Sequence, residues 1–302
     1  MTTILLLVVI VILYQLGTWS LAFVPSSPYR RTKHNLSQIR DPQYYLDCRV
    51  PSLLLHATLH FHGSKTFHSK TLPIESMDIF HILYGPALKD LAKIAIGGSG
   101  TDNVVINPNP INSSLMEDWI ISSKKVNATM PDEQGFICKV QTSGLNFSGL
   151  HVKTVANIGA QIVHQSEQDD VTETQLEFTY IDDEQIVQGP KILVFIFNAL
   201  TGKDLEGSSS RGKGQRVQSL SRLYTTVSNN TVVFHIDTNL DISIQFPTLL
   251  LKLLPVSKEK AEEQGSEVIM NTLTKDTEAM IPKLEEFYLQ TREKQKNWTV
   301  HS

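Results

Sequence analysis

Cysteine is the scarcest chemistry-bearing residue here: Cys48 and Cys138 are the only two in 302 residues. Two isolated thiols build no disulfide framework and offer no metal-ligand spacing. Acid is missing from residues 1–40, where Arg30, Arg31, Lys33 and Arg40 are the ionised side chains. Setting those 4 aside leaves 23 of the 27 Lys and Arg against all 31 Asp and Glu, a body of net −8. So acidic a body excludes a phosphate-backbone partner, so no nucleic acid is expected. The longest apolar run, Ile4–Tyr14, is too short to span a bilayer comfortably. There is no Gly-x-Ser-x-Gly nucleophile turn, and no strand–helix alternation of a parallel sheet. Neither cofactor nor metal is expected from these patterns.

What is present begins with alternation. In Val232–Phe246 the apolar residues Val232, Phe234, Ile236, Leu240, Ile242, Ile244 and Phe246 alternate with His235, Asp237, Asn239, Asp241, Ser243 and Gln245. Period two over this length marks an antiparallel strand with one buried face, and Pro247 ends it. After Pro255, Val268, Ile269, Leu273, Met280, Ile281, Leu284, Phe287 and Tyr288 recur at three-to-four spacing among charges. That is an amphipathic helix, and the strand's apolar face is its partner.

Ahead of these the chain reads as strand Leu53–His62, a helix capped by Ser76 and halted at Gly85-Pro86, a second short helix Ala87–Ile96, and a loop over 97–115. Strands are expected again at Asp118–Thr129, Phe136–Gln141, Leu150–Val163, Thr172–Ile181, Ile192–Phe197 and Val217–Val227. Asn229-Asn230 turns the last of these into the long strand. The fold class expected is α+β: a twisted antiparallel sheet wrapped around a long C-terminal helix, its concave face lined by apolar side chains.

The leader has a signal-peptide core in Ile4–Tyr14, with cleavage before Phe23 after Ser20-Leu21-Ala22. Phe23–Arg40 is basic, acid-free and hydroxyl-rich, the composition of a transit peptide. Ser20-Leu21-Ala22-Phe23-Val24-Pro25 resembles the cleavage motif of plastid precursors in diatoms and related algae. The expected organisation is 1–22 signal peptide, 23–50 transit peptide and linker, 53–292 one domain, and 293–302 a tail. A secretory alternative stands beside plastid targeting, because sequons begin at Asn35, Asn112, Asn127, Asn146, Asn229 and Asn297.

Gly135–Val140 running to Gly149-Leu150-His151-Val152, Asp237–Phe246 running into Pro247, and the helix Gly265–Tyr288 together resemble the START-like (SRPBCC) helix-grip superfamily, in particular its uncharacterised cyanobacterial and plastid branch. The resemblance covers about residues 53–292. It departs at the inserted loop Gly202–Gly214 and at the Leu-rich corner Thr248–Leu254. It implies a helix-grip fold and, in function, a cavity for a hydrophobic small molecule such as a lipid, isoprenoid or pigment. An aromatase/cyclase-like enzyme shaping a hydrophobic substrate and an assembly scaffold with a filled core remain alternatives.

The residues expected to line such a cavity are Phe136, Val140, Val152, Ala156, Ile158, Phe178, Tyr180, Phe234, Ile236, Leu240, Ile242, Met270, Leu273 and Met280. No catalytic residue stands out among them, and ordinary core packing accounts for the same pattern. Thr142, Thr154 and Thr238 are the polar entries on the same faces, and Cys138 is expected to be a core thiol. Leu249–Leu254 either anchors the helix start or forms a lip touching a membrane. Two other motifs have plain explanations. His56, His60 and His62 share a strand face without a third metal ligand, and His68 is read as lying beyond the strand. Gly207–Gly214 stops one residue short of a phosphate-binding loop, with Gly214 where the Mg2+-binding hydroxyl belongs.

Overall fold

The computed structural model describes residues 56–97, 104–107, 111–141, 145–147, 150–166, 172–191, 194, 215–247 and 257–299. The leader, Thr142, the Gly202–Gly214 loop and the Leu249–Leu254 corner lie outside them. The chain order is β1 (His56–His68), β2 (Leu72–Pro73), α1 (Asp78–Leu83), α2 (Leu88–Gly97), β3 (Val104–Ile106) and α3 (Ser113–Val126). It continues with β4 (Phe136–Gln141), β5 (Leu145–Phe147), β6 (Leu150–Ser166), β7 (Thr172–Gln188), β8 (Gln215–Ser228), β9 (Thr231–Pro247) and α4 (Lys258–Thr299).

The strands form one antiparallel sheet in the order β1-β9-β8-β7-β6-β4-β3, with β2 on β9 and β5 on β6. Asn229 and Asn230 both take positive φ, 49° and 58°, the condition for a two-residue hairpin whose twist matches its strands. Register then assigns the faces. Phe136 pairs with Ala160, Ala160 with Phe178, Phe178 with Ser221, and Ser221 with Thr238. The next row runs Ile162, Leu176, Leu223, Ile236 and Phe67. These inward rows and α1, α2 and α4 form one core, in which Leu176, Phe234, Leu284 and Tyr288 are fully buried. This is the α+β helix-grip arrangement that alternation and the helix period imply.

How α4 holds the sheet was not visible in the apolar pattern. The helix runs along β1, the edge strand, and supplies the hydrogen bonds that an edge lacks. Glu262 Oε1 accepts from His60 N (2.8 Å), and Ser266 Oγ from His62 N (3.1 Å), one helical turn apart. Lys65 Nζ donates to Thr274 Oγ1 (3.1 Å), and Glu285 takes both Lys70 N (2.9 Å) and Lys70 Nζ (2.7 Å). Glycine permits the close approach: a Cβ on Gly265 would stand 2.3 Å from the Phe61 ring, and one on Gly63 would stand 2.9 Å from Ile269 Cγ2.

Several expectations are corrected. Asp118–Thr129 is not a strand: it falls mostly in α3, whose Asn112 cap accepts from Ser114 N (3.0 Å) and whose Asn127 closes it in the left-handed region. Its apolar stripe is narrow, Leu115, Met116 and Trp119 with Ser123 next, so period alone did not reveal it. The loop expected over 97–115 contains β3 and the first turn of α3. In Ile192–Phe197 the described residue, Val194, is in a helical turn, its N–H bonded to Pro190 O (3.0 Å), rather than a strand. Met77, rather than Ser76, stands at the N-cap position of α1. Finally β1 runs on to His68, so that residue lies inside the strand.

The outer face of the sheet has a small core of its own. Trp119 of α3 lies over Gly159, where a Cβ would stand 2.1 Å from the indole, and packs with Ile137 and Ile181. Beneath the end of α3 the Glu177 carboxylate is wholly buried; it accepts from Thr129 N (2.8 Å) and from Arg222 Nε (3.2 Å). A buried carboxylate needs such partners.

Candidate functional site on the inner sheet face

Register places Phe136, Val140, Val152, Ala156, Ile158, Phe178, Tyr180, Phe234, Ile236, Leu240 and Ile242 on the inner face. Phe136, Ala156, Ile158, Phe178, Phe234, Ile236, Leu240 and Ile242 are buried there, as are Leu273 and Met280 from α4. Val140, Tyr180 and Met270 are half-buried. They fall into two groups. Leu240, Met270 and Leu273 surround the Gly63 contact between β1 and α4. Phe136, Val140, Ala156, Ile158, Phe178 and Tyr180 lie across β4, β6 and β7.

Among the described residues the inner helices share one core with the sheet. α4 packs chiefly on β1 and on α1 and α2, while α2 reaches β3 and β4. On the inner face of β6 and β7 the inward residues include the small Ala156 and Ala160, and Ile158, Ala160, Leu176 and Phe178 share one core with Leu91 of α2 and Leu284 and Tyr288 of α4.

The group that periodicity missed sits on this stretch. β6 and β7 change register between Asn157 and Ile158: Ile158 pairs with Tyr180, but Asn157 pairs with Asp182 and Ala156 with Asp183. The extra residue, Ile181, turns outward into the Trp119 core. Such a bulge re-aims the residues after it. Strict alternation would put Asp182 inward; the bulge sends it outward, where Asn157 Nδ2 donates to it (2.7 Å), and brings Asp183 in beside Tyr180.

The Tyr180 hydroxyl donates to Asp183 Oδ1. Burial pushes the phenol well above its ordinary range, and the Asp183 charge and hydrogen bond, then Asp182, push the same way. The phenol therefore stays protonated and keeps lone pairs to accept from another group. Thr154, also inward, is buried one pair further along β6, and Ser221 Oγ donates to Thr238 Oγ1 (3.1 Å) toward β9. Cys138, paired with Ile158 in Tyr180's row, is fully buried; desolvation pushes its thiol up to about 12, against the lowering charge of Lys93. It is a core thiol, not a nucleophile.

What this face can do is bind. An apolar surface with a few convergent polar groups is the make-up of a small-molecule site. The half-buried Tyr180–Asp183 pair is the hydrogen-bonded phenol and carboxylate that the bulge brings to this face.

No family model matches the chain, and no curated protein matches it. Solved structures similar to it include norcoclaurine synthase of Thalictrum flavum, 10% identical with a TM-score of 0.30, matching 79% of this chain and 98% of that one. Ginseng major latex-like protein 151 of Panax ginseng is 10% identical with a TM-score of 0.27, over 73% of this chain and 97% of that one. An uncharacterized protein of Rhizobium leguminosarum is 9% identical with a TM-score of 0.29, over 76% and 99%. Likeness at this level leaves ligand and function to this chain's own residues.

Proposed function

We propose that this protein is a plastid-targeted, non-catalytic binder of a hydrophobic small molecule: a lipid, isoprenoid or pigment bearing a hydroxyl or N–H donor. The ligand's apolar body lies against Phe136, Val140, Val152, Ala156, Ile158 and Phe178, and its donor is accepted by the Tyr180 hydroxyl. Phe234, Ile236, Leu240, Ile242, Met270, Leu273 and Met280 wall the site toward β9 and α4. One observation carries the reading: a hydrogen-bonded Tyr180–Asp183 pair, half-buried and set inward by a bulge, beside the small Ala156 and Ala160. A core built only for packing gains nothing from an inward polar pair, because even partial desolvation costs free energy. Plastid localisation rests on the Phe23 cleavage motif and the acid-free leader. Contact with a membrane through Leu249–Leu254 belongs to the same proposal, as the route by which such a ligand would enter.

A second reading, an assembly scaffold without ligand, is favoured by the continuity of the inner core from Phe136 to Tyr288. Native mass spectrometry with solvent extraction, on protein purified from its own plastids, separates the two. A stoichiometric lipid or pigment is the expected result. Empty, folded protein bound to other polypeptides would overturn the ligand reading, and glycans on the sequons with no plastid pool would overturn the localisation.

A further inference from the structure

On the outer face, away from the inner site, the extension of β1 makes His68 the direct cross-strand partner of His235. Their Nδ1 atoms are 2.7 Å apart, and the rings meet edge to face with centroids at 4.7 Å. We propose that this pair is a binding site for a divalent transition cation of the imidazole-preferring kind, Zn2+, Ni2+ or Cu2+.

Two imidazole nitrogens in such contact share at most one proton, so one always presents a lone pair to the other. A cation in place of that proton lets both Nδ1 atoms act as ligands, and the proton passes through solvent to the vacant Nε2 of the ring that gave it up, so both imidazoles stay neutral. With metal–nitrogen bonds of about 2.0–2.1 Å in a tetrahedral site, the nitrogens need to part to about 3.3 Å. Rotation of the exposed His68 ring supplies that.

The surroundings of His235 are built as an outer shell. Its Nε2 lies 2.7 Å from Thr226 Oγ1. With Nδ1 on the metal, Nε2 carries the proton and donates to Thr226, which fixes the tautomer. Tyr224 stacks on the same ring, centroids 4.9 Å apart and 9° from parallel, and holds its plane. Two residues along, Asp237 adds negative charge, its Oδ1 buried without a hydrogen-bond partner. Arg222, the cross-strand neighbour of Asp237, is held by Glu177 at 3.2 Å. His60 and His62 on the same face are engaged separately, by Ser243 (3.0 Å) and Asp241 (2.7 Å). Among the described residues no group of three metal-ligating side chains occurs, so water completes this two-histidine site.

The test uses Zn2+ alone as the probe, titrated into the mature chain at neutral pH. Calorimetry should show one site per chain, and histidine-ring 15N spectra should move at His68 and His235 while His60 and His62 stay put. His68→Asn and His235→Asn should each abolish that site, Thr226→Val should weaken it about tenfold, and His60→Asn with His62→Asn should leave it unchanged. Unmoved His68 and His235 resonances in the unmutated chain would overturn the proposal, a result that does not depend on any variant folding. So would a site that survives in a folded His68→Asn chain.

Discussion

Along β1 the inner face is closed by contact, and across β4, β6 and β7 it is closed by chemistry of a different sort. At β1 the helix meets the sheet through Gly265 on Phe61 and through Gly63 under Ile269, Met270 and Leu273, with edge N–H groups bonded to Glu262 and Ser266. Nothing larger than a hydrogen fits at either glycine without displacement. At β6 and β7 the inward residues include alanines, a threonine and a Tyr180–Asp183 pair, and they join the α4 core through side chains rather than through a glycine contact. The difference teaches where a ligand would be accommodated: where side chains are small and polar groups are already partly desolvated, not where the helix grips.

The largest expected effect tests how dry the second region is. The Cys138 thiol is raised from 9.0 to about 12, and a raised acid resists ionisation only while folded. Its contribution is therefore complete below pH 9.0 and lost progressively as pH climbs toward 12. Three units correspond to about 4 kcal/mol. Denaturant unfolding across this alkaline range should show that loss, and Cys138→Ala should flatten its onset just above pH 9.0, while Tyr180 and Tyr288, both raised from 10.0, continue to contribute at higher pH. A slope identical in the variant would mean that water already reaches the β4–β6 interior.

Next in size is a break at the grip itself. Gly265→Leu forces a side chain into the Phe61 ring and should cost about 3 kcal/mol by overpacking. For a domain of this size that is a fall in Tm of roughly 6–12 °C. Affinity for an extracted ligand should be retained below the new midpoint. Loss of affinity in step with stability would erase the distinction between the regions.

The two regions also differ in how far the sequence revealed them. Period-two alternation from Val232 to Ile242, and the Asn229-Asn230 turn, located β9 and every inward residue on it, because a half-buried strand leaves little choice of register. The same period failed at Asp183, since one extra residue in β7 inverts the faces beyond it and no local signal marks the bulge. β1 looked short because Ser64, Lys65 and Thr66 interrupt its alternation; Lys65 is inward but reaches Thr274 on α4. That shortening hid His68 from His235. α3 stayed hidden because one tryptophan seated on Gly159, rather than a broad stripe, fastens it to the sheet.

A smaller effect on stability, but a decisive one on binding, is expected from Ala156→Leu. Ala156 is buried on the inner face, paired with Val140 and Asp183. If the proposed ligand occupies the space over it, the empty protein should tolerate the added volume at less than about 1 kcal/mol while losing the ligand. A filled interior should instead charge roughly 1–3 kcal/mol, as overpacking usually does. Thermal denaturation of the ligand-free chain reads the first quantity and extraction mass spectrometry the second.

The smallest change is Tyr180→Phe, which removes one oxygen and leaves the ring. Asp183 loses one donor, and a ligand hydroxyl loses its acceptor. A hydrogen bond to an uncharged group contributes about 1 kcal/mol, so affinity should fall roughly five- to tenfold, with the ligand still apolar and still bound. A ligand analogue lacking the hydroxyl should bind the variant and the parent alike, which isolates the phenol's contribution from any slackening of the bulge. Equal losses for both ligands would place Tyr180 with the packing residues, and the inner face would then differ from the β1 grip in side-chain size alone.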